Sequence, residues 1–281
     1  MSRWREVADG VLQARYQPMD LSVCVVRGAK GLLVVDTRSS HREADEIRAD
    51  LQELGDVPVR WVVNTHAHFD HCFGNYRFGP ASDLDAVIFG HERVPAHLEE
   101  YERPMLAARI ARGDEPADDW REVVITPPTV LVGASTSLDL GDRSVEMVHL
   151  GRGHTDNDLL LHVPASSTWL VGDLLEESGP PMYGSGSFPL EWPDTVERLR
   201  SLLEDGAVLV PGHGAAVDAG FADEQCAQLW VVAELIRELW DAGVAVAQAV
   251  EAGAGRWPFP ADGLASAVAD GYRQLDQAPR P

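Results

Sequence analysis

Lysine is almost absent. Lys30 is the only one in 281 residues, and the 23 basic residues face 45 acidic ones, for a formal charge of −22. Phosphate backbones are held by clustered Lys and Arg, so this shortage excludes nucleic acid as the main partner. Acidity of this kind serves solubility and resists self-association. Cysteine is scarce as well: Cys24, Cys72 and Cys226 are odd in number and far apart, which excludes a disulfide framework. No apolar run approaches the length that spans a bilayer, and the opening Met1-Ser2-Arg3-Trp4-Arg5-Glu6 lacks the apolar core of a signal peptide. The expectation is a cytoplasmic protein with no membrane partner. Low-complexity runs are missing too, so disorder is expected only in the tail after Asp276, which ends in Pro279-Arg280-Pro281.

What the chain does have is a knot of histidine. His66-Ala67-His68-Phe69-Asp70-His71 packs three imidazoles and a carboxylate into the spacing His-x-His-x-Asp-His. A random chain of the same composition would show that spacing about twice in a thousand chains. His66 and His68 are two apart, so on extended backbone both rings point the same way. A turn at Asp70 and His71 aims that pair at a neighbouring point.

The surrounding pattern supplies partners. Short β-rich runs are expected at residues 11–16, 21–27, 32–35 and 59–63, with a helix over 41–54 capped by Ser39-Ser40. Further strands are expected at 86–89, 130–132, 137–140, 144–150, 159–163, 168–171 and 207–210. Helices are expected at 92–112, 193–203, 222–251 (one or two) and 264–274, and an acidic loop at 113–119. Four of the strands deliver a His or Asp just beyond their C-terminal ends. Residues 59–63 lead to the histidine knot, 144–150 to Gly151-Arg152-Gly153-His154, 168–171 to Gly172-Asp173, and 207–210 to Pro211-Gly212-His213. Three of the four place glycine directly before the candidate ligand, where the backbone can turn sharply and leave room for an ion. Seven candidates, His66, His68, Asp70, His71, His154, Asp173 and His213, are too many for one tetrahedral zinc and suit two ions with a carboxylate between them.

This set resembles the metallo-β-lactamase superfamily, whose hydrolases carry His-x-His-x-Asp-His, then a His after Gly, a bridging Asp and a final His. The resemblance covers residues 11–214. It implies an α/β fold, a four-layer αβ/βα sandwich with a binuclear centre at one edge, here as a single domain of residues 1–281 with extra C-terminal helices over about 221–276. By position, His66, His68 and His154 resemble the ligands of a first metal, Asp70, His71 and His213 those of a second, and Asp173 the bridge. Two zinc ions are expected, with iron or manganese as alternatives. Asp70 is expected to be catalytic as well, orienting the nucleophile or moving its proton. The implied function is hydrolysis of a small carbonyl substrate (thioester, lactone, lactam or ester) by a metal-bound hydroxide, since zinc lowers the pKa of bound water to about 7. Asp173 stands where class B β-lactamases typically have Cys or no bridge, and residues 222–274 are poor in the basic and Tyr residues with which glyoxalase II holds glutathione. Two other readings stay open: a mononuclear iron persulfide dioxygenase using His66, His154 and Asp173, and a non-catalytic, metal-stabilised binding protein.

Other residues carry weaker expectations. Asp36 at a strand end can support a ligand histidine or simply form a turn. Asn157 can steady the His154 loop or cap a local turn. Met182, Tyr183 and Phe188, in the loop after Asp173, are candidates to line the substrate pocket, and the helix at 92–112 is either a lid or an exposed amphipathic helix. Cys72 is expected to pack rather than ligate. His41, His91, His97, His149 and His162 fit no ligand slot and are read as structural. Exposed aromatics in the C-terminal helices, Trp230, Trp240 and Trp257, make a homodimer conceivable.

Overall fold

The computed structural model describes residues 2–277, so the tail expected to be disordered lies, from residue 278 on, outside the described residues. Among the described residues twelve strands run in chain order: β1 (Arg5–Ala8), β2 (Val11–Tyr16), β3 (Leu21–Gly28), β4 (Gly31–Val35), β5 (Val59–Val63), β6 (Val87–His91), β7 (Val130–Val132), β8 (Ser135–Asp139), β9 (Ser144–Val148), β10 (Leu160–Val163), β11 (Thr168–Glu176) and β12 (Val208–His213). Strands β1 to β7 pair in chain order to form one leaf. Strands β12, β11, β10, β9 and β8, in that spatial order, form the other. The leaves are joined where His213, the last residue of β12, pairs with Leu21, the first of β3.

Both leaves are buried on two faces, and the alternation along each strand shows how. In β3, Val23 and Val25 point into a core shared with Ala44, Ile47 and Leu51 of the helix His41–Leu51. Cys24 and Val26 point the other way, into a core shared with Val145, Met147, Leu161 and Val210 of the second leaf. The period of two is that of any strand; apolar residues at both phases are what a sheet covered on each side requires. On the outer face of the second leaf, Trp169, Val171 and Leu209 pack under Trp192–Arg200, Ala219–Asp241, Val246–Ala252 and Leu264–Gln277. Helix, leaf, leaf and helix make four layers, an α/β sandwich with extra C-terminal helices.

Some elements depart from expectation. The strand expected at 168–171 continues to Glu176, so Asp173 lies inside β11 and not beyond its end. Its register against β12 shifts on either side of Gly172, which sits at φ +53. That left-handed kink turns the strand while pairing resumes, and an L side chain would be strained there. The acidic loop contains a helix, Ala117–Glu122, and β1 carries no strong apolar signal because its residues stay largely exposed. The helix expected at 92–112 is interrupted by a π-turn, Leu98–Glu102, between Val94–His97 and Arg103–Arg112.

Candidate metal centre

The histidine knot begins in the loop after β5. His68 ends the extended stretch at ψ 151, and Asp70 and His71 fall on the single helical turn Phe69–Cys72. His154 comes from the loop between β9 and β10, Asp173 from the kinked part of β11, and His213 is the last residue of β12. Glycine is required beside them. A Cβ on Gly212 would stand 1.8 Å from Asp173 Oδ1, and one on Gly172 would stand 2.8 Å from Thr65 Cβ.

Two triads result. His68 Nδ1 is 3.1 Å from His66 Nε2 and 2.8 Å from His154 Nε2. His213 Nε2 is 3.4 Å from Asp70 Oδ2, and His71 Nε2 is 3.8 Å from the same oxygen. Asp173 stands between the triads. Its Oδ1 is 3.2 Å from His71 Nε2, and its Oδ2 is 3.5 Å from both His213 Nε2 and His154 Nε2 and 3.8 Å from His66 Nε2. All seven residues are buried. His71 Nε2 and Asp173 Oδ1, although close, make no hydrogen bond with each other or with any other group among the described residues. Buried polar atoms left in this way cost about 1–3 kcal/mol each, and a cation between them removes the cost. Imidazole nitrogens with carboxylate oxygens are a zinc-type donor set. The residues fit two ions.

Electrostatics agree with that fit. Burial, reinforced by the nearby His71 charge, holds His66 well below its ordinary value, and burial with the His68 charge pushes His154 down to about 3. Neutral imidazoles are what metal ligation needs. Burial would also depress His71 and His213, but the Asp173 and Asp70 charges overturn it and hold both histidines high. Conversely, burial would raise Asp173, and His71, His213 and His66 hold it well below the carboxylate range. An ion binding at this half of the site therefore displaces protons.

Groups behind the ligands set their orientation. Asp36, at φ +67, accepts from Thr65 N–H (2.8 Å) and Thr65 Oγ1 (2.8 Å) and meets His71 Nδ1 at 2.9 Å. A non-glycine residue in that backbone region costs about 1–3 kcal/mol, so the local fold is held there by these bonds. Asp36→Ala is expected to weaken metal binding about 10–100-fold with the fold intact, read by chelator competition; unchanged affinity would remove Asp36 from the site. Asn157 Oδ1 accepts from Ala67 N–H at 2.9 Å, which ties the His154 loop to the backbone between His66 and His68. Cys72 turns away, its Sγ 3.3 Å from the carbonyl oxygens of Ala67 and His68, and burial raises its thiol far above the usual range.

A cleft of about 450 Å³ opens over the triads, with His68, Asp70, Asp173 and His213 in its floor. Met182 lines it, as expected of the loop after Asp173. Tyr183 and Phe188 do not. Tyr183 is 4% exposed and packs edge-on against Trp192 in the C-terminal core, and Phe188 lies under the Arg152 guanidinium. In this loop, glycines pack over the site instead: Gly184 lies against His68 and Gly186 against His97. The helix at 94–112 is one wall, contributing Glu102, Met105 and Arg109. The tryptophans read as exposed are half-buried, with indole N–H groups satisfied within the chain by Glu197, Asp276 and the Val250 carbonyl.

Glu176 was not singled out by the sequence, yet it lies within ligand reach of Asp173 and His213. Three residues apart on a regular strand, Asp173 and Glu176 would face opposite sides; the register shift in β11 brings them together. Burial, with the Asp173 charge, pushes Glu176 up to about 8.

Comparison with known proteins gives the class. The family model described as Metallo-beta-lactamase superfamily matches residues 19–213, which takes in all seven residues of the two triads and their bridge. The chain belongs to that superfamily. It is 24% identical over 201 residues to a metallo-beta-lactamase type 2 of Bacillus sp., covering 70% of this chain and 67% of the relative. It is 23% identical over 224 residues to a linear primary-alkylsulfatase of Pseudomonas sp., covering 69% of this chain but only 41% of that protein. Among solved structures, a metallo-beta-lactamase from Pontibacter korlensis superposes with TM-score 0.65 at 17% identity, over 81% of this chain and 98% of the other. A stereoselective inverting sec-alkylsulfatase from Pseudomonas sp. superposes with TM-score 0.76 at 13% identity, over 100% of this chain and 52% of that one. At these identities the superpositions speak for the fold alone. No helix among the described residues is long and apolar enough to cross a membrane.

Proposed function

We propose that the chain is a binuclear zinc hydrolase of small carbonyl compounds: thioesters, lactones, lactams or esters. The observation that carries this reading is the placement of Asp173, with one oxygen facing His71 and the other facing His66, His154 and His213. In this reading His66, His68 and His154 would hold one ion and Asp70, His71 and His213 the other, with Asp173 shared between them. Two such ions supply a water of lowered pKa and a Lewis acid for the carbonyl oxygen. The chain's own residues do the rest. Asp36 fixes the His71 ring through Nδ1, and Ser185 O fixes the His68 ring through Nε2 at 2.9 Å. Asp70, which lines the cleft, would orient the attacking water with its carboxylate. Phe69, Met105, Pro180 and Met182 give the cleft an apolar wall that displaces water from the substrate.

Arg109 is the cation in that wall. Its guanidinium lies over the rings of Phe69 and Trp120 at 4.8 and 4.7 Å. A half-buried arginine held flat by aromatic faces suits a carboxylate or sulfate on the substrate. Arg109→Ala is expected to raise KM about tenfold for a substrate with a carboxylate and to leave the KM of its methyl ester nearly unchanged, since a hydrogen bond to a charged group is worth about 1.5–3 kcal/mol. Equal effects on both would remove Arg109 from recognition.

The reading is tested by elemental analysis of protein purified without added metal, paired with a panel of chromogenic esters, thioesters, lactones and lactams. Sulfate esters belong in the panel because alkylsulfatases are among the relatives. Two zinc ions and turnover of a carbonyl substrate are expected. One iron per chain with oxygen consumption on a persulfide, or no turnover at all, would overturn it.

A further inference from the structure

Glu176 is the last residue of β11, three beyond Asp173, and is buried at 7% exposure. Between the paired residues Gly172 and Glu176, β11 advances four positions while β12 advances two, from Pro211 to His213. The extra residues bulge out of the ladder, and pairing resumes with Glu176 beside His213. Paired residues on neighbouring strands show their side chains on one face. Glu176 therefore reaches the same side as His213, and both line the cleft together with Asp70 and Asp173. One ligand atom from each of Asp173, Glu176 and His213 lies within 4.8 Å of the other two. Donors about 2.1 Å from a shared ion stand about 3–4 Å apart, so the three atoms are already near the spacing that one ion imposes.

The rest of the chain holds Glu176 in that place. Gln225, buried in the helix Ala219–Asp241, accepts from the Glu176 N–H at 3.0 Å and donates to the Glu176 carbonyl at 2.9 Å. One side-chain amide thus satisfies both backbone groups of Glu176, at the point where the ladder is irregular. Beyond it, Ser178 Oγ donates to Glu176 Oε1 at 2.8 Å. That bond uses one of about four lone-pair sites on the carboxylate. Three carboxylates, Asp70, Asp173 and Glu176, accompany the two imidazoles of His71 and His213 here. Asp173 Oδ1 and His71 Nε2 are buried among them with no hydrogen-bond partner among the described residues. A divalent cation both balances that charge and satisfies those atoms.

We infer that Glu176 is a fifth donor to the ion at Asp70, His71 and His213, beside the shared Asp173. The inference deepens the binuclear reading and rests on it. The two positions then differ in kind. The first offers three imidazoles with Asp173, a zinc-type set. The second offers three carboxylates with two imidazoles, and an oxygen-rich set of five suits manganese as well as zinc. Glu176 makes the difference.

The test strips the full chain of metal and titrates it with zinc and, separately, with manganese. Calorimetry reads affinity, and elemental analysis after desalting reads stoichiometry. Wild type is expected to bind two zinc ions, and to bind manganese at one position. Glu176→Gln keeps the shape of the side chain and its bond from Ser178 but gives up the charge. It is expected to lose manganese and to weaken one zinc position about 100-fold or more, beyond the 10–100-fold that a residue merely orienting a ligand is worth. Zinc at the other position is expected to stay unchanged. Glu176→His offers a nitrogen donor of similar reach. It is expected to recover zinc at that position but not manganese, because imidazole suits zinc and carboxylate suits manganese. A carboxylate that only supports the loop would not be replaced in this way. Melting curves show whether each variant is folded. Unchanged metal binding in folded Glu176→Gln overturns the inference, as does a zinc loss that Glu176→His leaves in place, or a wild type that takes no manganese. If wild type binds a single zinc ion, the binuclear reading fails by itself. The inference then stands only if Glu176→Gln loses that ion and Glu176→His recovers it.

Discussion

Asp173→Ala is expected to lower the zinc content and to reduce kcat/KM by about three orders of magnitude or more. Its carboxylate is the group that faces both triads, at 3.2 to 3.8 Å from four ring nitrogens. Removing it deletes a donor from each prospective ion and takes away the negative charge that holds His71 and His213 high. Ions bound there would provide several kcal/mol of transition-state stabilisation, and each 1.36 kcal/mol is a factor of ten. The variant lacks no backbone element, so a folded protein that binds less zinc is the expected state. Elemental analysis and initial rates read the result. Two tightly bound ions and full activity would remove the bridging role.

Gly212→Ala is expected to be as damaging without replacing a single candidate ligand. The new methyl carbon would stand 1.8 Å from Asp173 Oδ1 and 3.0 Å from Asp173 Cγ and the Gly172 carbonyl carbon. Relief would have to come from Asp173, which is locked inside β11, or from the backbone at Gly172. Overpacking of this sort costs about 1–3 kcal/mol, and here the strain falls on the bridging carboxylate. A lower melting temperature together with loss of zinc is expected. Gly263→Ala, at a glycine with open space around it, serves as the control and should change neither. Wild-type stability and zinc content in Gly212→Ala would show that Asp173 can move without consequence.

Much of the site was legible because ligand chemistry leaves a residue-type signature at fixed spacing. His66 to His71, and the Gly-x-Gly-His, Gly-Asp and Gly-His sequences, needed no structure to stand out. The short β-rich runs likewise stood out as strands, and the sandwich followed from the resemblance. What stayed hidden depends on backbone irregularity. Glu176 joins Asp173 only because β11 changes register. Periodicity assigns it to the wrong side. Tyr183 was misplaced for a related reason: its polarity and its position after Asp173 said nothing about which way a glycine-rich loop would turn, and the ring went into the core against Trp192.

The seam between the leaves gives the metal centre a second meaning. His66, His68, Asp70 and His71 hang from the first leaf, whereas His154, Asp173 and His213 hang from the second, and the strands themselves touch at His213 and Leu21. On the proposed reading, ions held across that seam would act as non-covalent cross-links between two halves of the polypeptide. Binding the assembled halves in preference to the separated ones, they would add their affinity to the free energy of folding by mass action. Catalytic competence and cooperativity of the fold would then rise and fall with the same variable, the free concentration of metal.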